Sequence, residues 1–167
     1  MKITSLADAK FSQNPMDLIE EIVESNDWPY DRHSEEELMA GVTGSWCDWR
    51  LYFLWRSESQ CLHFTCGFDA RIPPTRRAEL TELLTLVNEK LLLGHFTICP
   101  DEGMIAFRHT LPLRGVLAAS REQIDDVMVA AFSECERFYP AFQFTIWGGK
   151  TAMEALDQSM FETVGEA

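Results

Sequence analysis

Trp49-Arg50-Leu51-Tyr52-Phe53-Leu54-Trp55-Arg56 and Leu62-His63-Phe64-Thr65-Cys66-Gly67-Phe68 are the stretches that decide how this chain folds. In the first, Trp49, Leu51, Phe53 and Trp55 alternate with Arg50, Tyr52, Leu54 and Arg56. In the second, Leu62, Phe64, Cys66 and Phe68 alternate with His63, Thr65 and Gly67. A two-residue period sends successive side chains to opposite faces, so each stretch reads as a strand with one face on a core. The segment between them is too short for a helical crossover, so the two strands pair antiparallel. A weaker strand pattern over 38–46 precedes them and completes a three-stranded meander.

Outward from this meander the pattern turns helical. Asn14-Pro15 opens a helix, with Asn14 as cap and Leu18, Ile19, Ile22 and Val23 as its apolar stripe. Trp28-Pro29-Tyr30 ends it. On the other side, Leu80, Leu83, Leu84, Val87 and Leu91 recur at helical spacing until Gly94. Phe96 and Ile98 begin a fourth strand; after the turn Asp101-Glu102-Gly103, Ile105, Phe107, His109 and Leu111 form one face of a fifth. Ser120 and Gln123 make a capping box for the strongest helical pattern, Ile124, Val127, Met128, Ala131, Phe132, Cys135 and Phe138. Val127 and Phe132 are expected in the main core. Pro140 should kink or interrupt this helix; the aromatic run through Phe142, Phe144 and Trp147 to Gly148-Gly149 reads as an extended segment or, in preference, as a kinked continuation. Thr151 and Glu154 cap a short last helix. The expected architecture is α+β: an antiparallel sheet of about five strands with helices packed on it, in the order α-β-β-β-α-β-β-α-α. Residues 1–13 read as a loose arm and 14–167 as a single domain.

The 167 residues carry a net charge of −13, and residues 1–40 hold ten carboxylates against three lysines and arginines. Such a surface repels a phosphate backbone, so nucleic-acid binding is not expected. The acidic first helix is expected to favour basic or amphipathic partners. An odd cysteine count of five, mostly within apolar runs, fits reduced thiols used as small core residues. The N-terminus has no apolar leader, and no apolar run approaches the ~20 residues that span a bilayer. The expectation is a cytoplasmic protein without membrane contact.

Chemistry-bearing motifs are missing. Cys61, His63 and Cys66 are ligand types in one strand, but strand alternation points Cys66 away from the other two. There is no GxSxG elbow. Gly148-Gly149-Lys150-Thr151 lacks the phosphate-loop spacing, because Phe144 stands where a glycine is required. No catalytic residue, cofactor or metal is assigned. Aromatic residues make up 11% of the chain, and those near loops or on the second sheet face are candidate partner anchors: Trp28, Tyr30, Tyr52, Leu54 (the aliphatic neighbour of Tyr52) and Trp147.

Several stretches taken together resemble a known family. They are Asn14-Pro15-Met16-Asp17-Leu18, Trp28-Pro29-Tyr30-Asp31-Arg32, Trp46-Cys47-Asp48, Arg76-Arg77-Ala78-Glu79-Leu80, Leu86-Val87-Asn88-Glu89, Leu93-Gly94-His95-Phe96, residues 134–146 and Trp147-Gly148-Gly149-Lys150. The chain resembles the YbjN-like proteins of alphaproteobacteria from about Asn14 onward. The resemblance implies a type III secretion chaperone-like fold and a role in sensory transduction regulation, with no catalytic residues to carry over. The expected function is therefore a non-catalytic protein-binding module, a chaperone-like or regulatory adaptor, whose partner is another protein or a second copy of itself. The alternative is a small-molecule sensor with a pocket between sheet and helices.

Overall fold

The computed structural model describes residues 12–99 and 103–164, with side chains as far as residue 160. Residues 1–11, most of the expected arm, and two residues of the expected turn, Asp101 and Glu102, lie outside the described residues. Ser12 and Gln13 are tied down: their N–H groups donate to Gln60 Oε1 and to the Leu117 carbonyl, each at 2.8 Å.

The chain runs α1 (Met16–Ser25), β1 (Tyr30–Arg32), β2 (Glu37–Thr43), β3 (Asp48–Arg56), β4 (Cys61–Phe68), α2 (Arg77–Asn88), β5 (His95–Cys99), β6 (Met104–Pro112), α3 (Arg121–Ile146) and α4 (Ala152–Val164). The strands form one antiparallel sheet in the order β1-β2-β3-β4-β6-β5. This is the expected α+β class with one strand more. Four strands, not three, make the opening meander, because Tyr30–Arg32 pairs with Leu38–Ala40 of β2. A three-residue strand has no period to read; its pairing with β2 makes it. Afterwards α2 carries the chain to the far edge, and the β5–β6 hairpin returns to place β6 beside β4.

The alternation read in β3 and β4 sets the layers. Trp49, Leu51, Phe53, Trp55, Leu62, Phe64, Cys66 and Phe68 are all buried against the helices. From that side Ile19, Ile22 and Val23 of α1, Leu80, Leu83 and Val87 of α2, and Ile124, Met128, Ala131, Cys135 and Phe142 of α3 close the core. Val127 is buried as expected. Phe132 is not: it is half-buried and meets Trp28 edge to face, centroids 5.7 Å apart, on the rim between α1 and α3.

Helix α3 passes through Pro140 without ending and reaches Ile146. Phe138, Tyr139, Pro140, Ala141 and Phe142 are all buried. A helix buried all round here has the sheet on one side and α2 and α4 on the other. That burial offsets the ~3 kcal/mol or more that an interior proline costs. Both capping boxes form: Ser120 with Gln123, and Thr151 with Glu154. Gly94, at φ 66°, immediately precedes β5 at a point where a Cβ would stand 2.2 Å from the Phe107 ring, so both its backbone and the close approach require glycine.

Candidate functional site

The buried set alternates with a second set on the far face of the sheet, where Tyr52, Leu54, His63, Thr65 and Thr110 remain half-buried or exposed. Register places them in rows across the strands. One row is Glu37, Leu54, His63, Thr110. The next is Asp31, Met39, Tyr52, Thr65, Arg108, His95. Toward the β5–β6 turn the same face closes over the small residues Gly67 and Ala106 and over Cys99, which are buried.

Between these rows lies a shallow cavity of about 410 Å³, lined by Tyr52, Leu54, Arg56, His63, Thr65, His95, Arg108 and Thr110, with Phe64 and His109 beneath. Its lining holds two arginines and three histidines and no carboxylate. Among the described residues no carboxylate forms an ion pair with Arg56 or Arg108; the ion pairs involve Arg32, His33, Arg121 and Arg137. The Arg108 guanidinium instead reaches along the strand to the Cys99 sulfur, 3.4 Å away. His63 Nδ1 sits 2.9 Å from the Thr110 hydroxyl. Burial, and then the neighbouring His95, hold His109 below the ordinary histidine range. Burial, and then Glu37, push the Tyr52 phenol up. The site is thus an apolar step, Tyr52 and Leu54, beside a basic shelf, with Glu37 at its outer margin.

Of the five aromatic and aliphatic anchor candidates, the structure brings together Tyr52 and Leu54. Trp28 lies on the helix side against Phe132. Tyr30 turns toward α1, where its hydroxyl bonds Glu24 and Glu20, interactions that raise its pKa. Trp147 stands exposed at the corner between α3 and α4. Sequence reasoning found the apolar half of the cavity and missed its basic half.

The ligand-type residues divide as strand alternation requires. Cys61 and His63 share the open face, while Cys66 is buried on the other side, its sulfur 3.7 Å from that of Cys135 and not joined to it. Burial, then Cys66, hold the Cys135 thiol well above the usual range.

The sheet edges are less available than its face. At β5, Asn88 on α2 accepts from the Phe96 N–H at 2.7 Å and donates to the Phe96 carbonyl at 3.1 Å, standing where another strand would pair. At the opposite edge β1 is three residues long and follows Pro29.

The stretches behind the family resemblance meet in pairs as joints of the scaffold. Asp17 and Glu20 of α1 hold Arg32 of β1. Asn88 holds Phe96. Arg76 donates to the carbonyls of Thr145, in the last turn of α3, and of Lys150, in the loop beyond it, and Glu79 accepts from the N–H of Ala152, which begins α4. A cation at a helix C-terminus and an anion at an N-terminus suit both ends of that corner.

Comparison with known proteins agrees on fold and family. No curated protein matches the chain. Among solved structures the chain is similar to the crystal structure of YbjN, described as a putative transcription regulator from E. coli, with 11% identity and a TM-score of 0.50 over 88% of this chain and 93% of that one. At that identity the likeness carries the fold alone. The family model for YbjN, described as "Putative bacterial sensory transduction regulator", matches residues 15–144, from the cap of α1 nearly to the end of α3. The chain therefore belongs to the YbjN family.

Proposed function

We propose that this protein is a non-catalytic binding module, a chaperone-like or regulatory adaptor, and that the open face of its sheet receives a polypeptide partner. One observation carries the reading: Tyr52 and Leu54 sit side by side on the central strand of a face that none of the described helices covers. Tyrosine and arginine are frequent anchors of protein interfaces, and Leu54 adds apolar area beside Tyr52. The regulatory description of the family agrees with an adaptor role. The sensor alternative needs room between sheet and helices. That space is occupied by Leu51, Phe53, Phe64, Phe107, Phe138 and Phe142, all fully buried. A cytoplasmic setting suits five free thiols. Among the described residues, no helix is long and apolar enough to cross a membrane.

The reading is tested by placing a photo-cross-linking residue at Leu54 or, as a control, at the exposed Val129 on the outer side of α3. Protein adducts should form at position 54 in the source cells and not at 129. Adducts of equal yield at both positions, or at 129 alone, contradict it.

A further inference from the structure

We infer that the occupant of the open face is an acidic, amphipathic polypeptide segment. The inference rests on the reading of that face as a polypeptide site, and names the chemistry of the partner. It reverses what the acidic first helix suggests from sequence. Those carboxylates are partly spent within the fold, Asp17 and Glu20 on Arg32, and Glu20 and Glu24 on the Tyr30 hydroxyl. The cavity on the open face has the opposite sign, with the carboxylates of the face, Asp31, Glu37 and Asp48, standing outside its lining. In a chain of net charge −13, the cavity gathers Arg56, Arg108 and histidines without a lining carboxylate. Charges left unpaired beside an apolar step select a ligand that supplies both apolar and anionic groups.

Spacing adds to this. His95 lies three strands from Tyr52 in the same row. At about 4.8 Å per strand, the segment presents its apolar anchor and its carboxylates up to about 14 Å apart. It crosses the face and does not extend the sheet, because Asn88 occupies β5 at Phe96. The remaining acidic surface repels long polyanions, so a short acidic segment anchored on Tyr52 and Leu54 is accepted where a nucleic-acid chain is not.

The test is titration of the full chain with three labelled peptides that alternate leucine with glutamate, lysine or serine, together with a single-stranded oligonucleotide. The leucine–glutamate peptide should bind best. Arg56→Glu with Arg108→Glu should weaken it at least about tenfold, a change of about 1.4 kcal/mol. Leu54→Ala should weaken it as well, and circular dichroism should show these surface variants folded. Raising salt from about 0.1 M to about 1 M should weaken binding, since the screening length falls from about 10 Å to about 3 Å. If the serine or lysine peptide binds equally well and loses affinity with Leu54→Ala, the polypeptide site stands and its acidic preference is overturned. If no peptide responds to Leu54→Ala, both fail. An oligonucleotide that binds as tightly as the acidic peptide overturns the assignment in favour of nucleic acid. Sedimentation showing a dimer that Leu54→Asp dissolves overturns it in favour of a second copy.

Discussion

The indole N–H of Trp49 donates to Glu136 Oε1 at 2.7 Å, joining the start of β3 to the middle of α3. The same carboxylate accepts the Ser45 N–H at 3.1 and 3.2 Å, so one side chain holds both the strand and the turn before it. Gly44 leaves the room: a Cβ there would stand 2.1 Å from Glu136 Oε1. Removing a charged acceptor from such a group costs about 1.5–3 kcal/mol. Glu136→Ala should lower the unfolding free energy by about that amount, and Glu136→Gln, which keeps an acceptor, by less. Denaturant melts check the order; a Glu136→Ala variant as stable as the parent would show that the acceptor has no role.

Glu136 also governs a thiol. Burial, and then the Glu136 charge, push the Cys47 thiol up to about 12. At pH 8 such a thiol holds on the order of a thousandfold less thiolate than an ordinary cysteine. In the folded protein iodoacetamide should label the half-exposed Cys61 well before Cys47, and Glu136→Gln should quicken labelling of Cys47. Peptide mapping by mass spectrometry reads both. Equal rates at Cys47 and Cys61 would mean that the Cys47 site is open.

Asn88 is expected to guard the β5 edge. Asn88→Ala leaves the Phe96 N–H and carbonyl without their partner, a loss of about 1–3 kcal/mol. It also exposes an unpaired strand. Sedimentation should show concentration-dependent association of this variant, and hydrogen exchange should quicken at Phe96. A variant that associates no more than the parent protein, with unchanged exchange, would show that the edge is protected in another way.

The fold was legible where one segment carries its own period. Trp49 to Trp55 and Leu62 to Phe68 alternate cleanly, and both capping boxes are local. Tyr30–Arg32 was missed because it is a strand only by virtue of β2. Phe132 was placed too deep, because helical spacing gives a face but not how far that face extends beneath a neighbour. For the site, alternation put Tyr52 and Leu54 on the second sheet face. The basic shelf depends on β6, which lies beside β4 only after a crossover, bringing Arg108 and Thr110 opposite Thr65 and His63. A signal was present nonetheless: the second-face positions from Arg50 to Arg56, from Cys61 to Thr65 and from Arg108 to Thr110 contain no carboxylate in a chain that has 27, the carboxylates of that face being Asp31, Glu37 and Asp48 at its margin.

The central claim, that the open face binds polypeptide, is tested most directly by selecting binders from an unbiased random-peptide library on the unmodified protein. Each binder is then measured against Leu54→Asp and against Trp147→Asp, an exposed aromatic on the helix side. The selected peptides should lose binding with Leu54→Asp and keep it with Trp147→Asp. Peptides that bind the Leu54→Asp variant undiminished would contradict the claim.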